Sequence, residues 1–340
     1  MSDTIAHMSK AEIRGNADPS VNSGGTRADP FRATQAAFAA KRHFVDGLTI
    51  KEVAAELGIS RFKAGRLVEW ARSEGLVRIE VSSAANTDTT LSAEMERAFG
   101  LERALVVADL DGPEEAVREA LAGVAAAGIA ELVQTSDVVG ISWGRTLDAL
   151  VARLPRLQAK RIVQVVGGIA TLESAAGGVD LVRRLALRAD AEGFALVAPL
   201  IVATAAGGES LRREPMIADT LRMIDDVTIG LAGIGSWGRP PSSRLMESFD
   251  PRETERYLEQ GVVADICGIM VRQDGTLLSS ADLDARRIGI LPEQLGAVRR
   301  VVAVAGGREK HRAIPAVLRS GLVDVLITDA GSARAALADE

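Results

Sequence analysis

The sequence predicts an α/β protein in two parts: a small helix-turn-helix head of winged type, then a larger body built on a parallel sheet. Three observations lead there. From about residue 92 onward, apolar β-rich runs alternate with amphipathic helical stretches. Residues 49–75 hold two short helical patterns joined by a glycine turn at the spacing of a helix-turn-helix. Charge divides at the same place. Residues 31–80 hold nine Lys/Arg against six Asp/Glu, whereas residues 81–340 are net negative in a chain whose total is −6.

The elements follow in order. Residues 1–30 are polar with scattered Gly and Pro and read as a disordered tail. A helical pattern covers 31–45 and stops at Asp46-Gly47. Thr49 can cap a helix through Leu57, ended by Gly58, and Ser60 can cap a third helix to about Glu74, closed by Gly75. Leu76–Val81 alternates as a short strand, a candidate wing, so the head spans 31–81. The polar run 82–91 reads as a linker, and 92–340 as the body, opened by a connecting helix over 92–100. Within it the expected strands are 104–109, 137–142, 161–166, 194–202, 226–232, 265–271, 301–305 and 324–328. Most are near-continuous apolar runs, as strands covered on both faces require.

Composition excludes several classes. An apolar fraction of 47% is too high for a wholly disordered chain. The single cysteine, Cys267, rules out a disulfide framework, and His7, His43 and His311 lie too far apart for a Cys/His metal site. No basic-then-apolar leader opens the chain, and the longest apolar stretch, 194–206, contains Pro199 and is shorter than the roughly 20 residues of a membrane span. A cytoplasmic protein with no metal and no cofactor is expected.

In the head, Ala54 is small where two helices cross, and Val53, Leu57, Ile59, Leu67 and Val68 supply buried contacts. Thr49, Ser60, Arg61, Phe62, Lys63 and Arg66 are the candidate DNA-contacting residues. At the start of a recognition helix Arg can bond guanine bidentately, while Lys serves mainly phosphates. Phe62 can touch a thymine methyl or pack inward, and the sequence leaves both open. The bland alternative is a three-helix docking module with a solvated basic face.

Four glycine-bearing segments mark the body. They are Trp143-Gly144-Arg145-Thr146 before a helix, Gly167-Gly168 at a strand end, Gly233/Gly235/Ser236, and Gly306-Gly307 before Arg308 and Lys310. Free N–H groups at a helix start attract phosphate, and neighbouring Arg or Lys add charge. None matches a Walker loop or a dinucleotide fingerprint, which disfavours a nucleotide. Asp265, a carboxylate in an apolar run, can bind sugar hydroxyls or simply cap a turn.

Taken together, the helix-turn-helix, GISWGRTL, VQVVGG, ADICG and VAGGREKHRAI…VLITD resemble the SorC/DeoR-type sugar-binding transcriptional regulators over roughly residues 35–338. The resemblance implies a Rossmann-like three-layer α/β/α effector domain similar to sugar-phosphate isomerases and deaminases. It implies a sugar, sugar phosphate or polyol effector, operator DNA as partner, and a homodimer or homotetramer. Carried over by position, Gly144, Arg145 and Thr146 match the first effector-binding turn, Gln164, Gly167 and Gly168 the second, Asp265 the acidic residue, and Lys310, beside Arg308, the last. Ala264 stands where the family usually has Gly. Val166 stands where some members have a lysine able to form a Schiff base, which excludes covalent capture there. An enzyme reading, an isomerase or deaminase carrying a DNA-binding head, would need Asp265 or His311 as base.

Overall fold

The computed structural model describes residues 30–77, 86–108, 110, 113–169 and 177–340. The expected tail, the far end of the expected wing and the start of the expected linker lie outside the described residues. The chain divides into two compact units, 1–81 and 82–340.

The first unit holds α1 (Pro30–Phe44), α2 (Ile50–Glu56) and α3 (Arg61–Ser73). Thr49 and Glu52 form a reciprocal capping box at the start of α2, with Glu52 N–H donating to Thr49 Oγ1 and Thr49 N–H to Glu52 Oε2. Ser60 Oγ accepts the Lys63 N–H to open α3. Gly58, at φ +63°, makes the turn between them, a left-handed conformation that costs glycine nothing. Ala36, Ala39 and Ala40 pack with Val53, Ala54, Ala64, Leu67, Val68 and Ala71 in one core. Small residues dominate it, so the helices can approach closely.

The second unit runs α4 (Thr89–Phe99), β1 (Arg103–Val107), α5 (Glu114–Leu132), β2 (Val138–Ile141), α6 (Arg145–Arg153), β3 (Arg161–Gln164), α7 (Gly178–Ala189) and β4 (Glu192–Phe194). It continues with α8 (Ala205–Arg213), α9 (Pro215–Met223), β5 (Ile229–Ser236), α10 (Pro251–Glu259), β6 (Val262–Ile266) and β7 (Ile269–Arg272). It closes with α11 (Ala281–Arg286), α12 (Pro292–Ala297), β8 (Arg300–Val304), α13 (Ala313–Arg319), β9 (Val325–Asp329) and α14 (Ala330–Ala338). The main sheet is parallel, in the order β1-β9-β8-β5-β2-β3-β4. Alternate strand residues serve opposite faces. Val301 and Ala303 join a core with α4, α13 and α14, while Val302 and Val304 join one with α5, α6 and α7.

Three expectations need correction. The run 265–271 is not one strand: Cys267 (φ +51°) and Gly268 (φ +73°) turn it into an antiparallel hairpin of β6 and β7, against the all-parallel reading. The fourth expected strand, 194–202, forms a ladder only at Phe194, the last residue of β4 (Glu192–Phe194). Beyond it only isolated bridges form, Pro199 (which lacks an N–H) with Gly168 and Ile201 with Arg287. Gly233, Gly235 and Ser236 lie within β5, not in a turn, because the end of β5 pairs with β6.

Candidate functional site

Strand order places the site. The chain leaves β2 outward through β3 and β4, then returns to lay β5 on the other side of β2 and builds outward again through β8 and β9. The carboxyl ends of β2 and β5 therefore flank a switch point, where a crevice must open because the connections diverge. A cavity of about 70 Å³ lies there, lined among others by Ser142, Arg145, Thr146, Gly233, Gly235, Ser243, Asp265, Cys267 and Lys310. Trp143, Gly144 and Arg145 also line a neighbouring cavity of about 380 Å³ with Asp148, Gly168 and Arg244.

Gly144, at φ +141°, turns the chain from β2 into α6. No side chain caps that helix, so its first-turn N–H groups are available to a ligand. Facing the same cavity, Lys310 is only 8% exposed. Among the described residues no hydrogen bond or ion pair holds its ammonium. Burial keeps Lys310 below the usual lysine value, and Arg145 pushes the same way, against Glu309, Glu114 and Asp265. A buried cation without a partner is costly, and an anion in the cavity would offset that cost.

Asp265 is half-buried, and burial raises its pKa, opposed by hydrogen bonds from Ser243 and Trp237 and by Lys310. Trp237 Nε1 donates to Asp265 Oδ1 at 2.9 Å, and the Ser243 hydroxyl donates to the same oxygen. That leaves Oδ2 for ligand hydroxyls. Gly235 is required beside it, since a Cβ there would meet Asp265 Oδ1 at 2.4 Å. Cys267 is buried, and burial pushes its thiol up to about 12, which makes it unreactive. Arg145 is half-exposed at the rim, paired with Glu114 at 3.1 Å. Asp329 sits behind the last turn, accepting from Gly307 N–H, Ser332 N–H and Ser332 Oγ, and so joins that turn to the start of α14.

The structure thus brings Gly144, Arg145, Thr146, Asp265 and Lys310 together. Gly168 borders only the larger cavity. Gln164 lies outside both: its Nε2 donates to Val166 O and its Oε1 accepts from Leu196 N–H, so it clamps a buried strand end. Gly167 is a packing residue, because a Cβ there would strike Pro199 and Leu200 backbone at 2.7 Å, and its carbonyl accepts from Trp143 Nε1. Arg308 is exposed and lines a separate surface depression with His311 and Glu309. Ser142, Trp237 and Ser243 belong to the site and carried no local sequence signal.

In the first unit, Arg61, Phe62, Lys63 and Arg66 are all exposed on α3. Thr49 and Ser60 are capping residues. Phe62 does not pack inward, being 86% exposed.

A family model described as "Putative sugar-binding domain" matches residues 83–338. The erythritol catabolism regulatory protein EryD of Brucella abortus is 31% identical over 301 residues, covering 87% of this chain and 94% of that protein. Transcriptional regulator LsrR of Klebsiella pneumoniae is 27% identical, covering 87% of this chain and 90% of the relative. In fold, the crystal structure of the full-length sorbitol operon regulator SorC of Klebsiella pneumoniae superposes with a TM-score of 0.69 at 24% identity, covering 92% of this chain and all of that one.

Proposed function

The chain belongs to the SorC/DeoR family of sugar-binding transcriptional regulators, and from that premise we propose how it divides its work. The relatives are transcriptional regulators, not enzymes, so the isomerase or deaminase reading is set aside. Residues 31–81 form a winged helix-turn-helix that holds operator DNA through Arg61, Phe62, Lys63 and Arg66, with Thr49 and Ser60 fixing the helix starts. A linker expected over 82–91, whose last three residues already belong to α4, joins it to a Rossmann-like effector and oligomerisation domain. The effector is a sugar phosphate or phosphorylated polyol. Its anionic end lies against Lys310 and the N–H groups of Gly144, Arg145 and Thr146, and its hydroxyls against Asp265. Relatives named for erythritol and sorbitol support the polyol class.

The observation that carries this reading is the buried Lys310, held by no hydrogen bond or ion pair among the described residues, opposite an uncapped helix start. Two heads must meet two half-sites at fixed spacing, so the protein acts as a homodimer or homotetramer in the cytoplasm. No helix among the described residues is long and apolar enough to cross a membrane. Effector binding then shifts the balance between arrangements that differ in operator affinity. A thermal-shift series with erythritol, sorbitol and their phosphate esters tests the site. At about 100 times Kd a true ligand stabilises the body by about 2.7 kcal/mol. A rise in Tm confined to the phosphate esters supports the Lys310 cradle; equal shifts with the unphosphorylated polyols remove phosphate from the reading.

A further inference from the structure

Helix α3 buries Ala64, Leu67, Val68 and Ala71, a stripe at i, i+3, i+4 and i+7. At about 100° per residue, Phe62 and Arg66 stand on the opposite side, with Gly65 beside them. A phenylalanine with 86% of its surface in water, flanked by exposed Arg61, Lys63 and Arg66, joins no core among the described residues. Gly65 adds an independent observation. A Cβ at that position would make only an ordinary 3.9 Å contact with Ile50, so packing does not require glycine. Glycine in a helix interior nonetheless costs about 0.5–1 kcal/mol relative to alanine. Bareness beside Phe62 suits a helix that must approach another surface closely.

We propose that Phe62 reads the C5 methyl of a thymine in each operator half-site, with Gly65 letting the helix sit deep in the major groove. The inference rests on the operator-binding reading of the head. The surrounding cations fit a polyanion. On the floor of the major groove the thymine methyl is the apolar group a ring at the start of a recognition helix can cover. Wedging between base steps is the habit of minor-groove proteins, and an α-helix enters the major groove.

The test uses the full-length protein and a randomised DNA duplex pool. After selection, each thymine of the enriched site is replaced singly by deoxyuridine, which deletes only the methyl. Wild type should lose about three- to fivefold in affinity at one thymine per half-site, the scale of burying one methyl group. Phe62→Ala should bind the thymine and uracil duplexes equally, and Phe62→Leu should fall between. Because Phe62 touches no core residue, both variants should keep the wild-type Tm, which separates lost reading from lost folding. Uracil substitutions silent at every position in the wild type would overturn the inference, as would methyl dependence surviving in Phe62→Ala. A pool from which the wild type enriches no duplex at all would overturn the operator-binding reading itself.

Discussion

The head and the body handle charge in opposite ways. On α3 the basic side chains Arg61, Lys63 and Arg66 are exposed, and the unit's core is nearly all alanine, valine and leucine. In the body, Lys310 is buried at the carboxyl ends of the strands, and among the described residues no hydrogen bond or ion pair holds it. The other end of the sheet provides a control. Asp137 is also buried, but it accepts from Arg299 at 2.6 Å, Thr228 Oγ1 at 2.8 Å and Gln134 N–H at 2.8 Å. Asp137 is thus fully paired where it is buried, whereas Lys310 faces the cavity. Solvated charge makes binding respond to salt through counterion release, whereas desolvated charge makes binding respond to pH through displaced proton equilibria.

Several measurements would break or sharpen that contrast. The largest effect belongs to Lys310. Replacing it by alanine should weaken a phosphate-ester effector by about 30-fold or more, as loss of a desolvated charge partner does. Isothermal calorimetry reads the loss, and a change under threefold would count against the buried-charge account. Next is Arg66→Ala, which should weaken operator binding by about 1–3 kcal/mol and flatten the salt slope by about one unit. Gel-shift titrations at several salt concentrations test this. Equal loss of effector affinity in that variant would mean the two regions are not separable.

Trp237→Phe removes one of two donors to Asp265 Oδ1 while keeping most of the ring packing against Phe249 and Tyr257. Effector affinity should drop about tenfold, the scale of one hydrogen bond to a charged group. Retention of full affinity would show that Ser243 alone fixes the carboxylate.

The pH dependence follows with its sign. Burial lowers the Lys310 value in the empty protein, and a bound anion raises it again. The complex therefore holds its proton more tightly than the free protein. Affinity should be full below the lowered value and fall as pH rises through it. A phosphate ester is already dianionic above about pH 8, so a decline beyond that point reports Lys310 and not the ligand. Lys310→Ala should give a flat profile over that range. The smallest effect is in the head: Gly65→Ala should stabilise it by about 0.5–1 kcal/mol, read as a rise in the denaturant midpoint of that unit.

The contrast between the units also explains what was legible in the residues. The head's helices were readable because Thr49, Gly58 and Ser60 act within three or four positions of themselves, and caps and turns are local chemistry. The turn from β2 into α6 was equally readable, since Gly144 and Arg145 are contiguous with the strand and helix they join. Gln164 and Gly167 misled because a turn's role depends on which neighbours the strand order supplies. Theirs are Leu196, Pro199 and Leu200, which close over the turn. Asp265 stood out as a carboxylate in an apolar run, but Trp237 and Ser243 reach it through the antiparallel pairing of β5 with β6, a contact with no local trace. Continuous apolar runs also hid the Cys267-Gly268 hairpin, since a buried turn of two residues looks like more strand.

Strand order has one further consequence, in time instead of space. The cavity opens between β2 and β5, but its cation arrives after β8, and the carboxylate that fixes the turn before that cation, Asp329, ends β9. A chain emerging from the ribosome has nearly its whole sheet in hand before Lys310 and Asp329 are free to fold onto it. The charge that lines the cavity is therefore put in place only after the strands that frame it.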